Sequence, residues 1–400
     1  MNGPGPPGYE VMIAGGSDTV LDHAWAARRR RLPGAHGRDH ALVDPGSTMR
    51  HRTVLTSFAA IVAAGLIAGI APAGAAPTAA KVKARPSTGC TAPQQLEANR
   101  TTDTQVQVAV PGQTGEYATR WYYEAVPSTA SATKPTPLIV DLHGYSEGAT
   151  VHRLMSALST LGEREGFITV TPQGQGPVPR WDTALKNSPD VAFIGALLDQ
   201  VEAQRCIDLN RVYVAGLSNG AFMTSAMACV YADRFAAAAP VAGIQTPKGC
   251  KPARPVPVVT FHGTADGYVS YTGGLGTDAL NLPAADGSGK KLGEAGGLPK
   301  EASNGPTVPE ATKAWAKRNG CATTVQRTKV SSDVTRFAYS GCKGRADVQL
   351  YRVTDGGHTW PGSEFSKSVG ALVGRTTMTI DADAIMWKFF QAHPLVAAKR

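Results

Sequence analysis

Short apolar segments recur along the chain, separated by longer segments in which apolar residues repeat every three or four positions. Residues 104–110 and 119–126 alternate apolar and polar side chains on either side of a Pro-Gly turn, which predicts an antiparallel pair of half-buried strands. Mostly apolar runs, typical of strands inside a sheet, predict further strands at residues 137–142, 167–171, 211–215, 235–241, 256–261 and 348–353.

The intervening segments have the periodicity of amphipathic helices. One apolar face is formed by Val191, Ile194, Leu197, Leu198 and Val201. A second face is formed by residues 385, 386, 389 and 390, and Asp381 is placed to cap the N-terminus of that helix. Strands that alternate with helices predict an α/β fold, with a mainly parallel central sheet covered by helices on both faces.

The N-terminal region has a different composition. Residues 49–75 contain a basic start, an apolar run and a small-residue Ala-Gly-Ala site, which predicts a secretory signal peptide; a membrane anchor is the alternative. Residues 1–48 would then be a non-structural upstream extension, and either Met1 or Met49 could be the true start. We expect residues 76–95 to be a flexible lead-in.

The remaining chain, residues 96–395, is predicted to form one domain. Its residues 271–309 are rich in Gly, Pro, Ala and Asp and break the alternation of strands and helices. So long a segment without regular structure is usually functional or mobile. It could be a flap over a binding site or a tolerated surface insertion.

Charge and composition narrow the range of partners. The 400 residues include 40 Lys and Arg and 31 Asp and Glu, a net charge of +9. Residues 1–75 hold seven arginines and five acidic residues, so their removal would leave +7. The basic residues are scattered rather than interleaved with aromatic residues in a stripe, so nucleic acid is not an expected partner. We expect a secreted, extracellular monomer that does not contact a membrane after cleavage.

All six cysteines follow residue 75, and an even number in an exported chain predicts disulfides. We favour a Cys321–Cys342 pair, because these residues flank a predicted hairpin. Cys206 precedes a strand and Cys229 ends the next helix, so both should lie at the bottom of the sheet and could pair, leaving Cys90 with Cys250. The sequence has no Cys-x-x-Cys motif or histidine-rich cluster, so no metal and no other cofactor are expected.

A Gly-x-Ser-x-Gly pentapeptide at residues 216–220 lies between a predicted strand and a helical segment. This context places Ser218 on a sharp turn that exposes a nucleophilic hydroxyl, whereas the pentapeptide alone could be an ordinary glycine-rich turn. Asp266 and His358 each follow the end of a later strand, in the order Ser, Asp, His of α/β-hydrolases. His358 would act as the general base, and Asp266 would orient it.

Other polar residues complete the predicted site. The backbone N–H groups of Tyr145 and Asn219 could form an oxyanion hole. Trp360, Trp181 and Tyr268 could line an acyl or aromatic pocket, although aromatic residues near a cleft are as often part of the core.

Three residues in the same regions have alternative interpretations, either as a rival acid or as structural residues. Asp355 is a rival acid, but it precedes His358 too closely to approach it from an opposing loop. His262 is interpreted as a structural residue at a strand end, and Asp266 could simply be a turn-forming residue before a glycine.

From about Gly89 to His393 the chain resembles the secreted α/β-hydrolase esterases that comprise polyhydroxybutyrate depolymerases and feruloyl or acetylxylan esterases. The motifs that carry the resemblance are Leu-His-Gly-Tyr at 142–145, Arg-Val-Tyr-Val-Ala-Gly-Leu-Ser-Asn-Gly at 211–220, Ala-Pro-Val-Ala-Gly at 239–243, Phe-His-Gly-Thr-Ala-Asp at 261–266 and Gly-Gly-His-Thr-Trp-Pro-Gly at 356–362. The resemblance implies the α/β-hydrolase fold and the same triad of Ser218, Asp266 and His358. Many relatives have a cysteine where this chain has Tyr145, so their disulfide pattern cannot be transferred.

The resulting expectation is a secreted serine ester hydrolase of the polyhydroxybutyrate depolymerase type, without a metal, that works through an acyl-enzyme. Its substrate would be a polyester or an ester-decorated polysaccharide. A feruloyl or acetylxylan esterase is the first alternative, and a peptidase of the same fold is less favoured. From another class, the chain could be an inactive hydrolase-fold binding protein, which an intact triad argues against.

Overall fold

A computed structural model describes residues 82–91, 104–296 and 304–396 of the chain. Within these residues, ten strands form a single sheet. Their bounds are β1 Thr104–Ala109, β2 Thr119–Ala125, β3 Thr136–Leu142, β4 Ile168–Pro172, β5 Ile207–Leu217, β6 Ala237–Val241, β7 Val258–Gly263, β8 Val325–Lys329, β9 Val334–Tyr339 and β10 Val348–Val353.

The strand order in the sheet is β1-β2-β4-β3-β5-β6-β7-β10-β9-β8. The six central strands from β4 to β10 are parallel to one another. The predicted antiparallel pair β1–β2 lies at one edge, and the hairpin β8–β9 predicted between the last two cysteines lies at the other. Because parallel strands point the same way, the loops that follow β3, β5, β7 and β10 meet at the C-terminal edge of the sheet, where these strands end.

Eight α-helices lie within the described residues. Their bounds are α1 Gly148–Ser156, α2 Leu158–Glu165, α3 Pro189–Gln204, α4 Asn219–Val230, α5 Val308–Arg318, α6 Glu364–Ser368, α7 Gly370–Val373 and α8 Ala382–Ala392. Both helices predicted from apolar periodicity are present, as α3 and α8. As predicted, Asp381 caps α8, where its carboxylate accepts the N–H of Ala384 at 3.0 Å.

The alternation of side chains along the strands separates the core into two clusters, one on each face of the sheet. In β5, Val212 and Val214 pack with residues of α3, α4 and α5, whereas Tyr213 and Ala215 pack with residues of α2 and α8. The predicted α/β-hydrolase fold, a mainly parallel sheet with helices on both faces, is confirmed. None of the helices in the described ranges has the length and apolar character needed to span a bilayer.

Part of the predicted flexible lead-in is attached to the domain. Within residues 82–91, the N–H of Ser87 donates to the carbonyl of Ile207 at 2.9 Å, and the Ser87 hydroxyl donates to the carbonyl of Arg205 at 2.7 Å. This attachment places Cys90 beside Cys206, and the two form a disulfide. Residues 1–75, which include the predicted upstream extension and signal peptide, lie outside the described residues.

The favoured Cys321–Cys342 disulfide is present, but the other two predicted pairs are wrong. Cys206 pairs with Cys90, and Cys229 pairs with Cys250. The reason is the layering of the fold. Cys206 lies at the beginning of β5, where the N-terminal segment reaches it, whereas α4 leads Cys229 across one face of the sheet to the connection between β6 and β7.

Candidate active site

Ser218 occupies the sharp turn between β5 and α4. Its backbone has φ 59° and ψ −119°, a strained conformation for a residue with a side chain, and this geometry is typical of a nucleophile elbow. Gly220 has to be a glycine, because a Cβ there would lie 2.1 Å from the carbonyl oxygen of Leu142 at the end of β3. The elbow is therefore packed directly against the loop that follows β3.

The predicted acid and base meet at the same sheet edge. The Nδ1 atom of His358, in the loop after β10, lies 2.8 Å from Oδ2 of Asp266, in the loop after β7. Both side chains are at least nine-tenths buried. The other carboxylate oxygen of Asp266 accepts the N–H groups of Tyr268 and Val269, each at 2.9 Å. An ionised carboxylate in this position fixes the Nδ1–H tautomer of His358 and leaves Nε2 free to act as a base.

Asp266 also contacts a second histidine. Nε2 of His262 lies 3.2 Å from Oδ2 of Asp266 and donates to the carbonyl of Val269 at 2.8 Å. Burial alone would raise the pKa of Asp266, but the two histidines outweigh it and hold that pKa well below its ordinary value. His262 is therefore a structural partner of the acid, in line with its interpretation as a strand-end residue.

Ser218 and His358 line the same cavity, which has a volume of about 450 Å³. Within the described part of the chain, no hydrogen bond joins their side chains. Such catalytic hydrogen bonds often tighten only when substrate is present. The structure thus brings the predicted nucleophile, base and acid to one place, and Ser218 and His358 both line the cavity.

The loop after β3 holds the predicted oxyanion donor in a defined orientation. The carbonyl of Gly144 accepts a hydrogen bond from His143 Nδ1 at 2.7 Å and from the N–H of Glu147 at 3.3 Å. In a planar trans peptide the following N–H, that of Tyr145, points in the opposite direction. The Tyr145 N–H donates to no acceptor within the described residues. The N–H of Asn219, in the first turn of α4, has no partner within its helix.

His143 supports this loop in its neutral form. Its Nε2 accepts the N–H of Gly174 at 2.7 Å, so Nδ1 carries the proton that is donated to Gly144. Complete burial lowers the pKa of His143 to about 4, which keeps the ring neutral at ordinary pH.

Trp181 lies behind the site rather than in the cavity. Its indole N–H donates to the carbonyl of His143 at 2.8 Å. Its backbone N–H and carbonyl pair with the side-chain amide of Asn219, at 2.7 and 3.2 Å. Trp181 therefore joins the turn that carries Ser218 to residues 143–147 after β3, which we call the oxyanion loop after its predicted role. Trp181 is not among the residues that line the cavity, so the structure corrects the expectation that it lines an acyl pocket.

The other two aromatic candidates differ. Tyr268 lines the cavity, its ring centroid 5.1 Å from that of His358. Trp360 is only 1% exposed and is not among the residues that line this cavity; its indole N–H donates to Asp383 at 2.7 Å. The expectation for Trp360 is corrected in the same way, since the large apolar ring following His358 is used for packing.

The walls of the cavity are mostly apolar. They come from α1 and from α6, α7 and the turn between them, and include Val151, Met155, Phe365, Val369, Leu372 and Val373. The insertion also contributes, because residues 281–283 line the cavity and the carbonyl of Pro283 accepts the hydroxyl of Tyr145 at 2.9 Å. Part of the glycine-rich segment therefore faces the site, as the flap hypothesis expects.

Sequence reasoning missed a buried group of charged residues behind the oxyanion loop. His152 in α1 contacts both Asp141, near the end of β3, and Glu147, in the loop after β3. A charged residue inside the apolar run of β3 was the available signal, because buried carboxylates are almost always paired. Among the described residues, no set of three or more His, Cys, Asp or Glu side chains is arranged to hold a metal ion.

Comparison with known proteins shows which proteins this part of the chain is similar to. A family profile described as "Esterase PHB depolymerase" matches residues 121–248. Feruloyl esterase B of Piromyces equi is 31% identical over 241 residues, which cover 58% of this chain and 41% of that protein. Poly(3-hydroxyalkanoate) depolymerase C of Paucimonas lemoignei is 38% identical over 129 residues, which cover 30% of each chain.

One solved structure, an acetyl xylan esterase from Aspergillus awamori, has 17% identity and a TM-score of 0.47 over 72% of this chain and 99% of its own. The chain spans less than half the length of the two curated relatives above. The segment matched by the family profile contains both the oxyanion loop and the nucleophile elbow. These matches agree with the resemblance indicated by the motifs: residues 121–248 are similar to the esterases of the PHB depolymerase profile.

Proposed function

We propose that this protein is a serine carboxylic ester hydrolase of the polyhydroxybutyrate depolymerase type. One observation carries the proposal. Ser218, on a strained elbow, shares a cavity with His358, which is hydrogen-bonded at 2.8 Å to the buried Asp266. The matched family profile supports the same reaction class.

In the first half of the reaction, the Oγ of Ser218 attacks the carbonyl carbon of the ester, and its proton passes to Nε2 of His358. The carbonyl electron pair moves to the oxygen, where the N–H groups of Tyr145 and Asn219 are placed to stabilise the negative charge. The tetrahedral intermediate then expels the alcohol, which takes the proton from His358. An ester bond between the acyl group and Ser218 remains.

In the second half, His358 takes a proton from a water molecule, which attacks the acyl carbon. The new tetrahedral intermediate releases the carboxylic acid, and the proton on His358 returns to Ser218. Throughout, the ionised Asp266 stabilises the imidazolium and holds the ring in place. All atoms are accounted for by the ester and one water, so these residues need no further reactant.

Apolar side chains around the cavity mouth favour an aliphatic acyl group. Val151 and Leu372 line the cavity and are 38% and 68% exposed, and Leu154 lies one turn along α1 from Val151. Exposed apolar residues grouped at a site mark a surface for an apolar ligand. We therefore favour a hydroxyalkanoate polyester or oligomer as the substrate.

A feruloyl ester is the second candidate, because the aromatic residues Tyr145, Tyr268 and Phe365 line the cavity. The rings of Tyr268 and Phe365 could pack against an aromatic acyl group. A parallel assay on amorphous polyhydroxybutyrate, methyl ferulate and acetylated xylan tests the choice. We expect the highest kcat/KM on the polyester; a preference for methyl ferulate of tenfold or more would transfer the proposal to a feruloyl esterase.

The apolar mouth can be tested by changing one leucine. We expect Leu372→Asp to lower kcat/KM on hydroxybutyrate oligomers by about tenfold, since roughly 1.4 kcal/mol of apolar contact is lost, and to change p-nitrophenyl acetate hydrolysis much less. Val330→Asp is the matched control, because Val330 is also exposed, at 42%, but lies in the turn between β8 and β9. Equal losses in the two variants would contradict a role for the mouth.

We also propose that the protein works outside the cell. Three disulfides within the described residues support this, since disulfides persist in oxidising compartments. The monomeric state stays a prediction.

A further inference from the structure

A buried ionic network lies directly beneath the proposed oxyanion hole, and the reaction described above does not use it. His152, in α1, has no exposed surface. Its Nε2 lies 2.8 Å from Oδ1 of Asp141, and its Nδ1 lies 3.2 and 3.3 Å from the two carboxylate oxygens of Glu147. Ser156 donates to the second oxygen of Asp141 at 2.6 Å.

Each ring nitrogen of His152 therefore faces a carboxylate, which can only accept a hydrogen bond when it is ionised. A ring that donates from both nitrogens is an imidazolium. Burial lowers the pKa of His152, but the two carboxylates outweigh it and raise the value to about 10. The pKa of Glu147, which burial alone would raise, is lowered by His152 and by the N–H of Gly144.

Glu147 connects this cation to the oxyanion loop. Its Oε2 accepts the N–H of Gly144 at 2.5 Å. The carbonyl of the same glycine is held by His143 and by the N–H of Glu147, so both peptide planes of Gly144 are fixed. The second of these planes contains the Tyr145 N–H. An ideal Cβ on Gly144 would lie 3.5 Å from Cβ of Ser218, which shows how near the clamped glycine is to the nucleophile.

His152 also contacts the segment that carries the base. Its ring lies edge-to-face with that of Trp360, with centroids 5.7 Å apart. Trp360 follows His358 by two residues, and its indole N–H is held by Asp383. Helix α1 thus contacts the oxyanion loop on one side and, on the other, the loop after β10 that carries His358.

Resting on the proposed function, we propose that His152 is a positioning residue for catalysis: through Glu147 and Gly144 it aligns the oxyanion-stabilising N–H of Tyr145 with Ser218. A buried ion pair is not needed for stability as such, since apolar side chains of similar size often serve as well. This network, however, ends on the backbone of the one residue that sets the direction of the Tyr145 N–H.

Kinetics of His152→Gln test the proposal. A neutral glutamine cannot keep both carboxylates ionised, so the hold on Gly144 weakens. Loss of a whole oxyanion donor costs about 10²–10³ in kcat, and misalignment should cost about 10–100-fold with KM changed less than about threefold. His393→Gln is the matched control, because His393 is also buried beside a carboxylate, that of Asp347, but lies after α8 at the opposite sheet edge.

A second pair of variants guards against simple misfolding. Glu147→Gln keeps an oxygen for the Gly144 N–H but removes the charge, and we expect a loss in kcat of the same kind. Because Glu147 and His152 act through one contact, the double variant should be within about twofold of the worse single variant. Losses that multiply would contradict a shared path to Gly144.

Hydrogen exchange gives a readout that does not depend on turnover. The Gly144 amide, followed in peptides that span residues 143–151, should exchange several-fold faster in His152→Gln than in wild type or His393→Gln. Unchanged exchange together with unchanged kcat would overturn the inference. If wild type hydrolysed no ester, the proposed function would fail, while the exchange rates would still decide whether His152 holds the loop.

Discussion

Replacing Ser218 by alanine should lower kcat for p-nitrophenyl butyrate by about 10⁵-fold or more, because no acyl-enzyme can form without the nucleophile. Serine hydrolases that lose this hydroxyl fall by about 10⁶-fold and retain only the contribution of the oxyanion donors and binding. The substitution removes one atom at an elbow fixed by backbone contacts, such as that between the Ser218 N–H and the carbonyl of Val241 at 2.9 Å. We therefore expect the variant to fold normally.

The control for this prediction is Ser225→Ala. Ser225 is a buried serine two turns along the same helix, whose hydroxyl donates to the carbonyl of Ala221 at 3.0 Å. Its loss should leave kcat within about threefold of wild type and reduce stability by about 1 kcal/mol. Equal turnover by wild type and Ser218→Ala would remove Ser218 from the mechanism. No turnover by wild type would favour the hydrolase-fold binding protein.

Replacing Asp266 by asparagine should lower kcat by about 10³–10⁴-fold with little change in KM. The neutral amide cannot stabilise the imidazolium, and it can also donate to Nδ1 and so favour the wrong tautomer of His358. The buried carboxylate has three further contacts, from Tyr268, Val269 and His262, and an amide oxygen can keep some of these. The fold should therefore survive, which thermal unfolding of the variant will check.

Asp355→Asn is the matched control, because Asp355 precedes His358 by three residues on the same loop. Its side chain is exposed, and no hydrogen bond joins it to His358 within the described residues. We expect kcat to stay within about threefold of wild type. A large loss in kcat for Asp355→Asn and a small loss for Asp266→Asn would show that Asp355, rather than Asp266, is the acid.

The meeting of Ser218, Asp266 and His358 could be predicted from the sequence because each of these residues follows a strand end. The apolar runs at 211–215, 256–261 and 348–353 become β5, β7 and β10, which all end at one sheet edge. Chain order and strand polarity were therefore enough to bring Ser218, Asp266 and His358 together. The hydrogen bond between Asp266 and His358 is the direct result.

The disulfides could not be predicted in the same way, because pairing depends on how far each segment lies above or below the sheet. The sequence predicts both Cys206 and Cys229 at the bottom of the sheet. In the structure, however, α4 leads Cys229 to the connection after β6, where Cys250 lies. The predicted pocket positions of two tryptophans were wrong for a related reason. Trp181 and Trp360 follow loops that face the site, yet their rings turn inward, where each indole N–H finds an acceptor.

The network of Asp141, Glu147 and His152 was not predicted, because its members come from a strand, a loop and a helix with no shared motif. The packing of α1 places the buried His152 between the two carboxylates, that of Asp141 and that of Glu147. A charged residue in an apolar strand indicates that it has a buried partner, but it does not show which residue that partner is.

The acyl-enzyme itself gives the most direct test of the proposed mechanism. Wild-type protein turning over p-nitrophenyl butyrate would be quenched in acid within milliseconds to seconds, digested and analysed by mass spectrometry. We expect a butyryl group on the peptide that contains Ser218, formed at least as fast as steady-state turnover and absent from Ser218→Ala. Turnover without an acyl group on Ser218, or with the acyl group on another residue, would contradict the account.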